Sequence, residues 1–284
     1  MSVKILSDST CDLSVELVAK YGIQIIPLHI VLGDKEYADG ASITPDEIYQ
    51  WSDANKATPK TSALGLEEAV NIFKPILDAG DEIVVFAISS SMSTTGNVMR
   101  LAAGDLDASD RVHVIDSMNL STGIGLQVLE AAEMAQAGKT GAEIAETLKS
   151  ITPRVRASFV VDTLTYLHRG GRCSSVAALA GAALKMHPRI AVVDGKMGPG
   201  KKYRGVMKKV IMEYVKDMEA EILTAEPKRI FITHSGCDEA VIAEIKAYLE
   251  GMNRFGEILI TRAGCVVSSH CGPGTLGVLF IAGE

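Results

Sequence analysis

The chain has 284 residues, room for about two domains at roughly 150 residues each. Hydrophobic residues make up 47% and charged residues 22%, which supports a packed core and excludes a disordered chain. A net charge of −7 argues against nucleic acid as partner, because the two short basic pairs, Lys201–Lys202 and Lys208–Lys209, read as solvated faces.

In chain order, Val3–Leu6 reads as a buried strand, followed by Ser7-Asp8-Ser9-Thr10 and a helix over 13–20. A second strand is expected over 23–31, with Pro27 marking an edge or a bulge. Thr44-Pro45-Asp46-Glu47 has the form of a capping box with proline in the first turn. A helix over 66–77 is expected to kink or break at Pro75. Strands follow over 83–88 and 112–115. The stretch 123–137 is apolar on most faces and predicts a well-buried helix ended by Gly138. Thr140 and Glu143 form a second capping box. Beyond a boundary near Pro153 come strands over 158–161 and 190–193, with a small-residue helix over 176–186 between them. Helices over 206–218 and 239–251 then alternate with strands over 229–233, 257–261 and 277–282. This alternation predicts an α/β protein of two α/β domains. Residues 1–155 are expected to form a mostly parallel sheet with flanking helices. Residues 156–284 are expected to form a smaller domain with a mixed sheet.

Five cysteines without a CxxC pair do not make a disulfide framework or a zinc site, so no metal is expected and a reducing cytoplasm fits. No apolar run reaches 18 residues, so no stable membrane insertion is expected. Gly195 to Lys201 fits GxxxxGK, but Lys202 stands where a phosphate loop needs Ser or Thr, and Pro199 removes an amide donor. A glycine-rich hairpin turn is the preferred reading there, with a phosphoryl-transfer enzyme using Lys201 or Asp8 as the alternative. Asp8 with Ser9 and Thr10 reads as a capping cluster. No GxSxG elbow occurs, and no catalytic residue or cofactor is assigned.

Two hydroxyl clusters carry the functional argument, Thr58-Pro59-Lys60-Thr61-Ser62 and the run from Ser89 to Asn97. The second joins a buried strand to a helix, where hydroxyls, backbone N–H groups and the helix dipole make an anion site without a metal. Simple capping of the helix is the alternative, and residue types alone leave the two open.

Taken together, the strings SDSTCDL, IIPLHIVLGDKEYADG, PKTSAL, ISSSMSTTGN, IDSMNLSTGIG, LTYLHRGGRCSSVAALAG, HPRIAVVDGKM and HCGPGTLG resemble, in order and spacing, the DegV family of fatty-acid-binding proteins. That family includes the binding subunits of bacterial fatty acid kinase. The resemblance implies a long-chain fatty acid such as palmitate held in a buried tunnel and presented to an ATP-dependent kinase subunit. Chemistry would then occur on the partner, and transient membrane contact is left open. The carboxylate would be held by Thr61, Ser62 and Ser93, with Thr94 and Thr95 beside them and His270 lining the same site. Thr94 stands where the family usually has Gly. Arg204 matches a residue near the ligand entrance and the kinase contact, and Arg169 to Arg172 match a structural glycine-rich turn. Small residues from Ala177 to Ala183 either line the tunnel or pack a helix tightly. Another apolar acid, an isoprenoid or a sterol acid, would fit the same scheme.

Overall fold

The computed structural model describes residues 2–173 and 186–284. β1 (Val3–Asp8) leads through a 3-10 turn at Ser9–Cys11 into α1 (Val15–Tyr21), where the Ser14 hydroxyl accepts from the Leu17 N–H. The single strand expected over 23–31 is two strands. Pro27 has no N–H with which to continue a ladder. β2 (Gln24–Ile26) therefore stays beside β1, and β3 (His29–Leu32) enters a separate antiparallel sheet. That sheet has the order β4-β3-β5, with β4 (Lys35–Ala38) and β5 (Lys60–Ser62). Between them α2 (Pro45–Asn55) opens on its capping box: Thr44 N–H donates to Glu47, and Glu47 N–H donates to the Thr44 hydroxyl. α3 (Leu66–Asp78) does not break at Pro75, because the proline falls near its last turn and removes a single helical bond. β6 (Glu82–Ala87), α4 (Thr95–Asp105), β7 (Val112–Asp116), α5 (Thr122–Gln136) and α6 (Gly141–Ile151) complete the first half.

The second half runs β8 (Val155–Val160), α7 (Thr165–Gly170), β9 (Met186–Val193), β10 (Lys196–Arg204), α8 (Met207–Asp217) and α9 (Glu219–Leu223). It ends with β11 (Ala225–Ser235), α10 (Glu239–Gly251), β12 (Glu257–Arg262), α11 (Cys265–Cys271) and β13 (Thr275–Ala282). The helix expected over 176–186 lies outside the described residues, except that Met186 opens β9.

Two larger sheets result. One is parallel, in the order β2-β1-β6-β7; the other is mixed, in the order β10-β9-β8-β13-β11-β12. The second, with six strands against four, is the mixed sheet expected of the C-terminal half. The stretch Gly195–Lys201 is a hairpin turn and strand, not a phosphate loop. Asp194 (φ 49°) and Gly195 (φ 75°) form a two-residue turn between the paired Val193 and Lys196. Lys201 is ion-paired to Asp217 at 2.6 Å. The phosphoryl-transfer alternative therefore loses its loop.

The two sheets share one buried layer. α5 packs against β1 and β6 on one side and against β8 and β13 on the other. Ile124, Leu126, Val128, Leu129, Ala131 and Ala132 are all buried, which explains why its sequence is apolar on most faces. α3 and α4 cover the far face of the parallel sheet, and α8 to α10 cover the far face of the mixed one. Beneath α8, the fully buried Tyr214 hydroxyl donates to Ser158 C=O (2.6 Å) and accepts from Val278 N–H (3.0 Å), bridging β8 and β13. Tyr214→Phe leaves both groups unpaired and is expected to lower the unfolding free energy by about 1–3 kcal/mol, read from urea denaturation.

Candidate functional site

Three acidic residues near the start of the chain pin the loops that converge beyond the strand ends. Asp8, the cap of the first 3-10 turn, accepts from Thr10 N–H (3.0 Å) and from Ile88 N–H (2.8 Å), fixing the loop after β6. Asp12 accepts from the Ser121 hydroxyl (2.5 Å) and from Gly264 N–H (2.8 Å), tying the loops before α5 and α11. Asp39 accepts from the Ser9 hydroxyl (2.8 Å) and from Cys265 N–H (2.7 Å). Ser121 sits at φ 53°, a backbone conformation that side-chain-bearing residues rarely adopt, held by its bond to Asp12.

These loops enclose a cavity of about 410 Å³ between the two large sheets, within the usual size range of ligand sites. Its apolar wall includes Ile88, Met92, Leu120, Phe159, Leu167 and Leu279. Its polar lining includes five of the residues singled out from sequence: Thr61, Ser62, Ser93, Thr94 and His270. Thr61 and Ser62 come from β5, Ser93 and Thr94 from the turn into α4, and His270 from α11. The Thr61 hydroxyl lies 3.0 Å from His270 Nε2. His270 Nδ1 is buried with no partner among the described residues. Burial, and then the charge of Arg172, hold the imidazole neutral, with its pKa lowered to about 4. α7 reaches this close to α11 because residue 170 is glycine: a Cβ there would meet His270 Nδ1 at 2.3 Å.

Two expected residues do not line the cavity. Thr95 is fully buried behind it, its hydroxyl 2.9 Å from the Ser93 hydroxyl and its N–H donating to the same oxygen at 3.3 Å. It positions Ser93 and does not face the space. Arg204 lies exposed on β10, away from the cavity wall. Conversely, Arg172, read from sequence as part of a structural turn, lines the cavity, its guanidinium donating to Gly170 C=O at 2.8 Å. The site thus includes a cation that the hydroxyl clusters alone do not announce. Thr10 and Ser121 also line it. Their signal lay in SDSTCDL and IDSMNLSTGIG, read there only as capping and resemblance. The stretch 177–183 lies outside the described residues.

The family model described as "Uncharacterised protein, DegV family" matches residues 2–283, and the chain belongs to the DegV family. A DegV domain-containing protein of Deinococcus radiodurans is 32% identical over 278 residues, 98% of each chain. Among solved structures, a DegV family protein from Thermus thermophilus described as fatty acid binding superposes with a TM-score of 0.90 at 29% identity, covering 99% of this chain and 100% of that one. A stearic-acid-binding protein from Eubacterium ventriosum gives 0.85 at 28% identity, covering 99% and 98%.

The pinning acids leave a pH signature. Burial pushes the Asp8 carboxyl up to about 6 and Asp12 up to about 8, and it raises Asp39 as well. A folded pKa above the unfolded one means that the folded state keeps its proton longer. The contribution is full below the unfolded value near 4 and is lost as pH rises through the folded values. Asp12→Asn, which keeps the shape and an acceptor for Gly264 N–H, is therefore expected to stabilise the protein at pH 8 relative to wild type by about 1 kcal/mol or more. The gain should shrink toward pH 4, as followed by thermal melts across that range.

Proposed function

We propose that this DegV-family chain binds a long-chain fatty acid in the cavity and presents its carboxylate to an ATP-dependent kinase subunit. The observation that carries the reading is an apolar cavity between two sheets in which hydroxyls from β5 and the α4 turn meet a neutral imidazole. The described fatty-acid binding of the Thermus thermophilus and Eubacterium ventriosum proteins supports the same ligand class. A tail of about 14 methylenes gains on the order of 11 kcal/mol from burial before the costs of association, at roughly 0.8 kcal/mol each. The head group then needs only orientation, which Thr61, Ser62, Ser93, Thr94 and His270 supply as neutral partners, with Thr95 holding Ser93 and Arg172 also in the lining.

In this reading Arg204, exposed on β10, contacts the kinase, and the protein works in the cytoplasm, where its cysteines stay reduced. Among the described residues no helix is long and apolar enough to cross a membrane.

Native mass spectrometry of freshly purified protein, followed by organic extraction, is expected to release a long-chain fatty acid at about one per chain. A lipid-free protein with no measurable affinity for fatty acids sinks the reading, and preferential retention of an isoprenoid or sterol acid redirects it. Ser93→Ala is expected to weaken palmitate binding about tenfold or more, the loss of one hydrogen bond to a charged group. Arg204→Ala is expected to retain the lipid but to slow acyl phosphate formation when a kinase subunit and ATP are added.

A further inference from the structure

A trio of threonines on the cavity floor has one more hydroxyl proton than it has acceptors. Thr233, on β11, has its hydroxyl 2.6 Å from that of Thr122 on α5 and 3.1 Å from that of Thr261 on β12. All three residues are buried. Among the described residues these three hydroxyls have no other hydrogen-bond partner. Three O–H donors therefore share two contacts, and in every arrangement one proton is left over. A neighbouring chain of hydroxyls behaves differently. Tyr49, Ser235 and Ser268 are linked in series, and Ser268 donates to Ala263 C=O at 3.1 Å, so each proton there finds an acceptor.

Thr233 is the member of the trio that lines the cavity. The two lone pairs of its oxygen suffice to accept from both Thr122 and Thr261, which frees its own proton for a third partner. Its register neighbour on β13 is Gly277, which also lines the cavity and has no side chain to cover it. Buried donors are nearly always matched, so a ligand oxygen is called for at this point of the wall. A second carboxylate is the wrong ligand. Thr10 and Ser121, also in the lining, already donate to the buried Asp8 and Asp12 and so have no proton left for it.

We infer that the cavity is fitted to an oxygenated fatty acid, whose chain carries a keto oxygen that accepts from Thr233 and brings no proton of its own, while its carboxylate meets the Thr61–Ser93–His270 cluster. The inference rests on the fatty-acid reading above and narrows its substrate class.

The test is calorimetric titration of the delipidated full-length protein with stearate and with 6-, 10- and 12-ketostearate. At least one isomer is expected to bind as tightly as stearate or tighter, although its carbonyl must leave water. Thr233→Val is expected to lower that isomer's affinity relative to stearate about threefold to tenfold, the worth of one neutral hydrogen bond, while Thr233→Ser keeps the ratio. Because the readout is a ratio between two ligands in one protein, general damage to the cavity does not mimic it. Weaker binding of every keto isomer than of stearate overturns the inference and leaves the fatty-acid reading standing, as does a ratio that Thr233→Val does not move. Failure to bind stearate and all three isomers overturns both.

Discussion

The architecture depends on carboxylates buried where water cannot reach them. A carboxyl group taken out of water must be neutralised or given hydrogen-bond donors. Here the donors are backbone N–H groups from distant loops: Ile88 to Asp8, Gly264 to Asp12, Cys265 to Asp39. Each bond closes a long excursion of the chain, and together they fix the turn after β6 and the start of α11 around the opening segment of the sequence. Positions 88–94 and 265–271 supply much of the cavity wall. The same requirement for satisfied buried acids that the fold must meet therefore also builds the site.

α5 adds the second constraint. Being apolar on most faces, it can be buried only by two layers, one on each side. It takes the parallel sheet on one side and the mixed sheet on the other. At its C-terminal half, Glu130 and Glu133 meet the almost fully buried Arg229 of β11, so polar contacts as well as packing bind the layer. The gap that remains between the sheets beside α5 is the cavity. A ligand there would touch β5 and the turn before α4 from one half and β8, β11 and β13 from the other, so that its binding energy would couple the two halves of the chain.

Local signals were legible in the sequence. The boxes at Thr44/Glu47 and Thr140/Glu143 form as written, because a cap is settled within four residues. α10 occupies the span its periodicity predicts. What escaped depends on partners far along the chain. β10, with its glycines, Pro199 and paired lysines, has no strand pattern, and only its pairing with β9 across the Asp194–Gly195 turn makes it one. α11 reads as a fragment because its short run of residues gains stability from α2, α7 and β3 rather than from propensity. The candidate hydroxyls of Ser93 and Thr94 were legible because a strand-to-helix turn brings them together locally, and those of Thr61 and Ser62 stood out only as a cluster of residue types. Arg172 was not, since its place on the wall follows from the crossing of α7 and α11 that Gly170 permits.

That crossing also sets the chemistry of the polar end. Packing α7 against α11 buries His270 and brings Arg172 close, and both effects favour the uncharged ring. Under the proposed function the neutral imidazole beside the Thr61 hydroxyl would orient the carboxylate, with the Arg172 guanidinium, already donating to Gly170 C=O, as a charged group of the same lining. Affinity can be left to the tail, where apolar burial is large and non-directional, while the head-group end is shaped for access. The division of labour follows from the packing: the wall between the sheets is apolar because both sheets and α5 bury their faces there, and the hydroxyls gather where strands end and backbone donors are left over.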